Sequence, residues 1–371
     1  MGTSFFKERA NTLAIRIREV LKELPGVCGD FIHSIDSTTQ PLTRYAYACD
    51  LKLFCSFLVQ EIPSFADRKI KSLTCDDFAA VTVRDIRTYM DYLEYYFNGD
   101  DERTNSDVGK MRKMSSLRSF YDFMIKESLI DSDPTRLVAL PKRHLKPIIR
   151  LEVDEAARLL DFVENGSTEN MSARQRNYNL HTKQRDLAII TLFLGTGIRV
   201  SELVGLNISD IDFDLNAFLV TRKGGNQMIL YMADEVASVL KAYVEYRLEL
   251  ESLEGHEDAL FLSLQKRRIT VRAVENLVKK YATAAAPLKR KLSPHKLRST
   301  FGTNLYHETG DIYLVADVLG HSDVNTTKKH YADMSDERRR MAARHVHLRD
   351  EKARTERDEN SSADDDEEKN D

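Results

Sequence analysis

Apolar residues fall three or four positions apart in three early segments of the chain, 43–59, 83–96 and 110–127. This spacing matches the period of a helix that buries one face. Polar and charged residues occupy most of the positions between them. The pattern therefore predicts an all-helical first domain over residues 1–140.

The pattern changes in the second half of the chain. A polar insert, 166–183, precedes an apolar run, 187–194, which predicts a buried helix. Two β-prone runs follow, 217–222 and 227–232, and Lys223-Gly224-Gly225-Asn226 separates them. Glycines between two such runs predict a hairpin with Lys223 at its bend. The remaining segments have helical spacing, so the predicted fold class is mostly α with a small antiparallel β-hairpin or sheet.

A basic segment, 141–150, lies between the two halves and contains two prolines, which oppose helix formation. We expect it to be an interdomain linker. Basic side chains here and on the first domain's helices are candidates for contact with nucleic-acid phosphates. Ordinary solvated lysines and arginines are the alternative at each position. The candidates are Lys142, Arg143 and Lys146 in the linker, and Arg44, Lys52, Lys113 and Arg118 in the first domain.

The net charge of −4 argues against a nucleic-acid-binding protein only until the acidic C-terminal segment is counted separately. Residues 350–371 carry eleven acidic and four basic side chains, a net charge of −7, which leaves +3 for residues 1–349. A small excess of this kind can be concentrated on one face. The acidic segment is expected to be disordered, and competition with DNA for basic surface is one hypothesis for its role.

A length of 371 residues favours two domains. No apolar run approaches the ~20 residues of a membrane-spanning helix, and charges interrupt the region where a secretory signal would lie. We therefore expect a cytoplasmic protein without membrane contact. All four cysteines lie in the first quarter and show neither a CxxC pair nor zinc-site spacing. Reduced core thiols and no metal site are expected.

Four motifs in the second half contain side chains suited to phosphate chemistry. In the first, a glycine-bounded turn precedes Arg199, and Glu202 follows one helical turn later. The second is Lys223 on the predicted hairpin, where two glycines follow it. Taken singly, a surface Arg–Glu pair and an ordinary turn lysine are the simpler interpretations.

The third motif predicts a helix start, with Ser293 as N-cap and Pro294 as the first helical residue. His295 and Arg298 then lie one turn apart, where the helix dipole also favours an anion. In the fourth motif a glycine ends an apolar helix before His321, and Tyr331 follows. An exposed basic helix start and a packing tyrosine are the alternatives for these two motifs considered alone.

Together the motifs resemble the tyrosine recombinase (phage integrase) family, whose catalytic pattern is Arg, Lys, His-x-x-Arg, His or Trp, then Tyr. The matching stretches are Gly-Ile-Arg-Val-Ser-Glu-Leu, Ser-Pro-His-Lys-Leu-Arg and Leu-Gly-His-Ser. The resemblance spans about residues 150–345 and extends more loosely to the helical first domain. It departs from many relatives in the offset of ten positions from His321 to Tyr331, where an offset of nine is common, and in the acidic tail. The implied catalytic residues are Arg199, Lys223, His295, Arg298, His321 and Tyr331.

The resemblance implies that Tyr331 attacks a DNA phosphodiester and forms a covalent 3′-phosphotyrosine. Arg199 and Arg298 would bind the nonbridging oxygens, whose charge grows in the transition state. Lys223 would protonate the departing 5′-oxygen, and His295 would help the tyrosine to lose its proton.

His321 would donate a hydrogen bond to the phosphate, and Glu202 would orient His295 or an arginine. Because the phosphotyrosine preserves the bond energy, the resemblance implies neither a metal nor a nucleotide cofactor. The sequence has no GxxxxGK[ST] loop, which agrees with this expectation.

The family architecture implies a helical, SAM-like core-binding domain at 1–140, a linker at 141–150, a mixed α/β catalytic domain at 151–349 and a disordered tail at 350–371. The two domains would form a C-shaped clamp on DNA. The expected substrate is double-stranded DNA with paired half-sites. Four copies of the chain would form a homo-tetramer on two duplexes, with a DNA translocase or directionality factor as an optional accessory. The segment 335–352 would form a C-terminal helix passed between neighbours. The implied location is cytoplasmic and nucleoid-associated.

Several functions remain open at this point. The Arg-Lys-Gly-Gly hairpin and the polar insert are most similar to the single-recombinase Xer branch, which resolves chromosome dimers. Integration or excision of a mobile genetic element is the alternative within the family. A non-catalytic DNA-binding regulator on the same scaffold and a type IB topoisomerase are alternatives from other functional classes.

Overall fold

A computed structural model describes residues 3–141, 150–166, 172–222, 225–285, 292–320 and residue 324. By their internal contacts the residues divide into two compact units. The first takes in Met1–Pro147 with Gly205–Asp210 and Leu219–Met228, and the second takes in Ile148–Val204, Ile211–Phe218 and Ile229–Asp371. No helix among the described residues is both long and apolar enough to cross a bilayer.

The N-terminal segment of the first unit, residues 3–141, is built from helices and one β-hairpin. The helices are α1 (Thr3–Leu21), α2 (Gly26–Ser34), α3 (Pro41–Glu61), α4 (Cys75–Ala79), α5 (Val83–Tyr92) and α6 (Asp107–Lys126). The hairpin strands are β1 (Tyr95–Asn98) and β2 (Asp101–Thr104). Short 3₁₀ turns occupy Pro63–Phe65, Ile70–Ser72 and Pro134–Leu137.

Aromatic side chains fill the core of this unit between α3 and α5 and between α4 and α6. The rings of Phe54 and Tyr89 lie 5.0 Å apart, and those of Phe78 and Phe120 lie 5.1 Å apart, both edge to face. The hydroxyl of Tyr121 donates a hydrogen bond of 3.0 Å to the carbonyl of Phe78, so its polar end is satisfied inside the core.

One buried acid lies among these helices. Asp50 on α3 accepts two hydrogen bonds of 2.6 Å from the guanidinium of Arg112 and one of 2.6 Å from the hydroxyl of Ser116, both on α6. The bidentate geometry satisfies a carboxylate that would otherwise be costly to bury.

The prediction that the first domain is all helical was wrong. Helix α5 ends at Tyr92, and the chain continues into the hairpin, where Asn98 is paired with Asp101 across a two-residue turn. Gly99 in that turn has φ +64°, a conformation that glycine adopts readily and that two-residue hairpins require. Three consecutive aromatic residues, 95–97, shortly before a Gly-Asp turn were the signal for this hairpin.

The second unit contains seven helices in its described part. They are α7 (Val153–Asn165), α8 (Ala173–Thr196), α9 (Val200–Leu203), α10 (Asp234–Glu249), α11 (Val271–Ala285), α12 (Pro294–Thr309) and α13 (Ile312–Leu319). Helix α8 is central, because α7, α10 and α12 all pack against it. Ile189, Ile190 and Phe193 in its last turns are fully buried, which confirms the buried helix predicted over 187–194.

The polar insert predicted over 166–183 is largely helical, since α8 begins at Ala173. The sequence contains neither glycine nor proline between Ser172 and Leu194. Polar residues without such breakers continue a helix readily, which explains why α8 extends from the apolar run back into the insert.

A three-stranded sheet has the order β3 (Ile211–Asp212), β4 (Ala217–Thr221) and β5 (Gln227–Tyr231). Strands β3 and β4 are antiparallel, with Ile211 opposite Phe218. The predicted hairpin corresponds to β4 and β5. The predominantly helical fold class with small antiparallel sheets is therefore confirmed.

Candidate active site

Arg199 lies at the start of α9, directly after the end of α8. Its guanidinium donates to the carboxylate of Glu202 at 2.7 Å and to the carbonyl of Gly320 at 2.7 Å. The same carboxylate accepts the backbone N–H of Arg199 at 3.0 Å. The Glu202 side chain is almost fully buried, whereas about a third of the Arg199 side chain, 34%, is exposed. Glu202 therefore fixes both the backbone and the side chain of Arg199.

Arg298 lies on α12 and is buried, with 5% of its surface exposed. One terminal nitrogen donates to the carbonyl of Gly197, and the other donates to the carbonyl of Leu319. Backbone carbonyls rather than a carboxylate accept these two bonds, so they leave the positive charge of the guanidinium uncompensated at those contacts.

The two arginines thus converge on consecutive carbonyls, those of Leu319 and Gly320, at the end of α13. Gly320 ends this helix in the left-handed conformation, with φ 61° and ψ 52°. The carbonyls of a helix C-terminus carry partial negative charge and attract cations. Residue 321, the predicted catalytic histidine, follows directly.

Gly197 makes this convergence possible through close packing. It has φ +62°, and a Cβ placed on it would lie 2.4 Å from the ring of Phe301 and 3.0 Å from the side chain of Leu319. Any larger residue would push α12 or the end of α13 away. A glycine is therefore required here both by backbone conformation and by space.

His295 lies in the first turn of α12, one turn before Arg298, and is exposed. Ser293 occupies the N-cap and Pro294 the first helical position, as the sequence predicted. The Ser293 side chain makes no capping hydrogen bond to the helix, which differs from the usual serine cap. In this turn Pro294 has no N–H, and the N–H of Lys296 donates to the carbonyl of Ser293 at 2.8 Å.

The other three predicted catalytic residues, Lys223, His321 and Tyr331, lie outside the described residues. On either side of Lys223, Arg222 and Asn226 are bonded to each other, the N–H of Arg222 donating to the carbonyl of Asn226 at 2.7 Å.

The four candidate phosphate contacts of the first unit all have internal partners. Lys52 pairs with Glu23 at 2.6 Å, and Arg44 pairs with Asp36. Lys113 lies 3.5 Å from the carboxylate of Asp50.

Arg118 donates to the carbonyls of Thr135 and Val138 at 3.2 and 2.9 Å. These bonds give all four side chains a structural role, and phosphate binding by them stays a prediction. The linker candidates Lys142, Arg143 and Lys146 and the predicted exchanged helix 335–352 lie outside the described residues.

The backbone acceptors of the site were missed by the sequence analysis. The carbonyls of Gly197, Leu319 and Gly320 hold the two arginines, but any residue type offers a carbonyl. The glycine at 197 was the available signal, since it allows helices to approach closely. No group of three or more His, Cys, Asp or Glu side chains suited to a metal ion occurs among the described residues.

The arrangement is suited to stabilise the negative charge shared by the two nonbridging oxygens of a phosphodiester. The guanidiniums of Arg199 and Arg298, which stay protonated at any ordinary pH, are bonded to consecutive carbonyls, so two positive charges lie close together. Such preorganised donors stabilise charge that develops on phosphoryl oxygens.

Comparison with known proteins agrees with this geometry. Residues 150–338 match the model of the phage integrase family. The chain is 34% identical over 323 residues to the tyrosine recombinase XerC of Caldanaerobacter subterraneus subsp. tengcongensis, covering 84% of this chain and 83% of that protein. It is 28% identical over 353 residues to the tyrosine recombinase XerS of Streptococcus uberis, covering 89% of this chain and 98% of that protein.

Among solved structures, the Tn1549 transposon integrase in complex with a circular intermediate DNA has a similar fold. Its TM-score is 0.60 at 17% identity, covering 90% of this chain and 98% of that one. The family match, the XerC relative and the converging arginines lead to one conclusion: the chain belongs to the phage integrase family, as its motifs predicted, and is a tyrosine-type site-specific recombinase.

Proposed function

We propose that this recombinase cleaves and rejoins DNA through a 3′-phosphotyrosine on Tyr331. The observation that carries the proposal is the meeting of Arg199 and Arg298 at the Leu319 and Gly320 carbonyls. A scissile phosphate near this point would be stabilised by the two positive charges as its own negative charge grows. Removing either guanidinium should slow cleavage by about 10²-fold or more.

The remaining groups complete the reaction. Tyr331, whose pKa is ordinarily ~10, must lose its proton, and the cationic site together with His295 favours this. Lys223 protonates the leaving 5′-oxygen, and His321 donates a hydrogen bond to the phosphate. Glu202 acts through Arg199, to which it is bonded, rather than on the phosphate itself.

We assign the chain's organisation accordingly. Residues 1–140 form the core-binding domain, 141–150 the linker, 151–349 the catalytic domain and 350–371 an acidic tail. The substrate is double-stranded DNA with paired half-sites. Strand exchange between two duplexes needs four cleavages, so the active form is a homo-tetramer acting on the chromosome, with a translocase or directionality factor as an accessory.

The biological role we favour is Xer-type resolution of chromosome dimers. The extended matches to XerC and XerS, each covering most of both chains, support it. Integration or excision of a mobile element is the second candidate, because the Tn1549 transposon integrase has the same fold.

The decisive experiment is capture of the covalent intermediate. The wild-type chain and Tyr331→Phe are incubated with sheared genomic DNA of the source organism, and protein-linked fragments are collected after denaturation and sequenced. The wild type should yield adducts at a discrete locus, and Tyr331→Phe should bind DNA without any adduct. Adducts trapped by Tyr331→Phe would contradict the assignment of the nucleophile.

The position of the locus separates the two biological roles. A single chromosomal site without neighbouring transfer genes agrees with dimer resolution, whereas the ends of an integrated element agree with integration. Relaxation of a supercoiled plasmid that lacks the locus would instead indicate a type IB topoisomerase.

A further inference from the structure

One buried hydrogen bond joins the start of the second unit to the helix that carries two of the proposed catalytic residues. The backbone N–H of Leu151 donates to the hydroxyl of Thr300 on α12 at 3.0 Å. That hydroxyl in turn donates to the carbonyl of Lys296, one turn back, at 3.1 Å. Leu151 and Thr300 are 1% and 0% exposed, so water cannot replace either bond.

Leu151 has a particular place in the chain. It lies between the segment predicted as the linker and α7, which begins at Val153 and packs against α8 and α11. Its side chain is buried, so the backbone at this point is held both by packing and by the bond to Thr300. A displacement of the backbone at residue 151 would therefore be transmitted to α12 through the hydrogen bond to Thr300.

Thr300 does not face the proposed site. Two residues along a helix correspond to a rotation of ~200°, so Thr300 lies on the side of α12 opposite Arg298. On the Arg298 side, α12 is held by the bonds to Gly197 and Leu319 and by the contact of Phe301 with Gly197. Helix α12 is thus fixed from two sides, and Thr300 supplies the polar contact on the side away from the arginines.

We infer that Thr300 is a positioning residue, which transmits the position of the chain at Leu151 to the turn of α12 that carries His295 and Arg298. It touches no reacting atom and acts through the helix. The inference rests on the proposed function in its catalytic part, but the coupling between Leu151 and α12 is a property of the folded chain alone. A misplacement of about 1 Å at a reacting centre can slow a reaction by about 10²-fold, so a small shift of α12 suffices.

The test uses the full-length chain in four forms. Thr300→Val keeps the volume and removes the hydroxyl, and Thr300→Ser keeps the hydroxyl. Ile190→Val removes one methyl from a fully buried site on α8 and serves as a destabilised control without a lost hydrogen bond. The wild type completes the set.

The first measurement is hydrogen–deuterium exchange without DNA. In Thr300→Val, exchange should rise at Leu151 and also in the first turn of α12, and Thr300→Ser should match the wild type. Faster exchange at Leu151 alone, or an equal rise in Ile190→Val, would overturn the coupling.

The second measurement is single-turnover formation of the covalent adduct on a nicked duplex that carries the captured locus. With the protein at saturating concentration, Thr300→Val should form the adduct at least about 10-fold more slowly than the wild type, and its DNA affinity should stay within about 2-fold of the wild type. Thr300→Ser should restore the rate, and Ile190→Val should retain it. Equal rates for Thr300→Val and Ile190→Val would refute a positioning role. A wild type that forms no adduct would refute the proposed function, and the exchange experiment would still decide the coupling.

Discussion

Substituting Gly197 by alanine should damage both the stability and the chemistry of this recombinase. The glycine has φ +62°, and an added Cβ would lie 2.4 Å from Phe301 and 3.0 Å from Leu319. Both neighbours are attached to elements that hold Arg298: Phe301 is on α12, and Leu319 supplies a carbonyl acceptor. The methyl group therefore has no room unless the site opens.

The magnitude follows from two separate effects. A left-handed conformation costs an L-residue about 1–2 kcal/mol relative to glycine. Forcing a methyl into a packed core costs about 1–3 kcal/mol more. Gly197→Ala should thus lose about 2–5 kcal/mol of unfolding free energy, a large part of the ~5–15 kcal/mol of an ordinary domain.

A matched control isolates the packing effect. Gly255 has φ +80°, but an added Cβ would meet nothing within 4 Å. Gly255→Ala should therefore show only the conformational cost of about 1–2 kcal/mol. Because the chain has no tryptophan, urea unfolding is followed by far-UV circular dichroism.

The two variants should also differ in chemistry. The carbonyl of Gly197 accepts a bond from Arg298, so its displacement should slow adduct formation by about 10²-fold, while Gly255→Ala keeps the wild-type rate. Equal unfolding free energies for the two variants, within about 0.5 kcal/mol, would refute the packing argument.

Three further predictions concern other polar and buried groups. Glu202→Gln weakens two bonds to Arg199 and should slow adduct formation about 10-fold at unchanged DNA affinity. Glu235→Gln, at an exposed position, should keep the wild-type rate. Equal rates of adduct formation for the two variants would exclude the orienting role of Glu202. Asp50→Asn should lower the unfolding free energy by about 2–3 kcal/mol, because the carboxylate that accepts bonds from Arg112 and Ser116 loses its charge. Asp101→Asn, in an exposed pair with Arg103, should lower it by less than ~0.5 kcal/mol. Similar losses for the two variants in urea titrations would contradict the argument from burial. A hydrogen bond with Cys55 and burial raise the pKa of Cys28 well above its usual value, so less of this thiol is ionised at a given pH. Iodoacetamide at pH 8 should therefore label Cys28 only after denaturation, as measured by peptide mass spectrometry. Prompt labelling of the native chain would contradict this environment.

The local elements near the site were largely predictable from the sequence. Proline at the first helical position fixed the start of α12, and a glycine fixed the end of α13, because both residues have strong backbone preferences. The β4–β5 hairpin followed from β-prone runs around a glycine turn. The hairpin in the first unit was not predicted, since helical spacing was assigned to 83–96 and its first strand begins at Tyr95.

The sequence by itself determined the family, through the order and spacing of chemically distinctive side chains. Only the tertiary structure decided which groups hold those side chains in place. Arg199 is bonded to a carbonyl 121 positions away, and Arg298 to one 101 positions away. Carbonyls are common to all residues, so no residue type marks them as acceptors. The same holds for Arg44 and Lys52, whose basic character was evident but whose acidic partners depended on how the helices pack. Local preferences act over a few residues, whereas these contacts exist only after distant segments have been brought together.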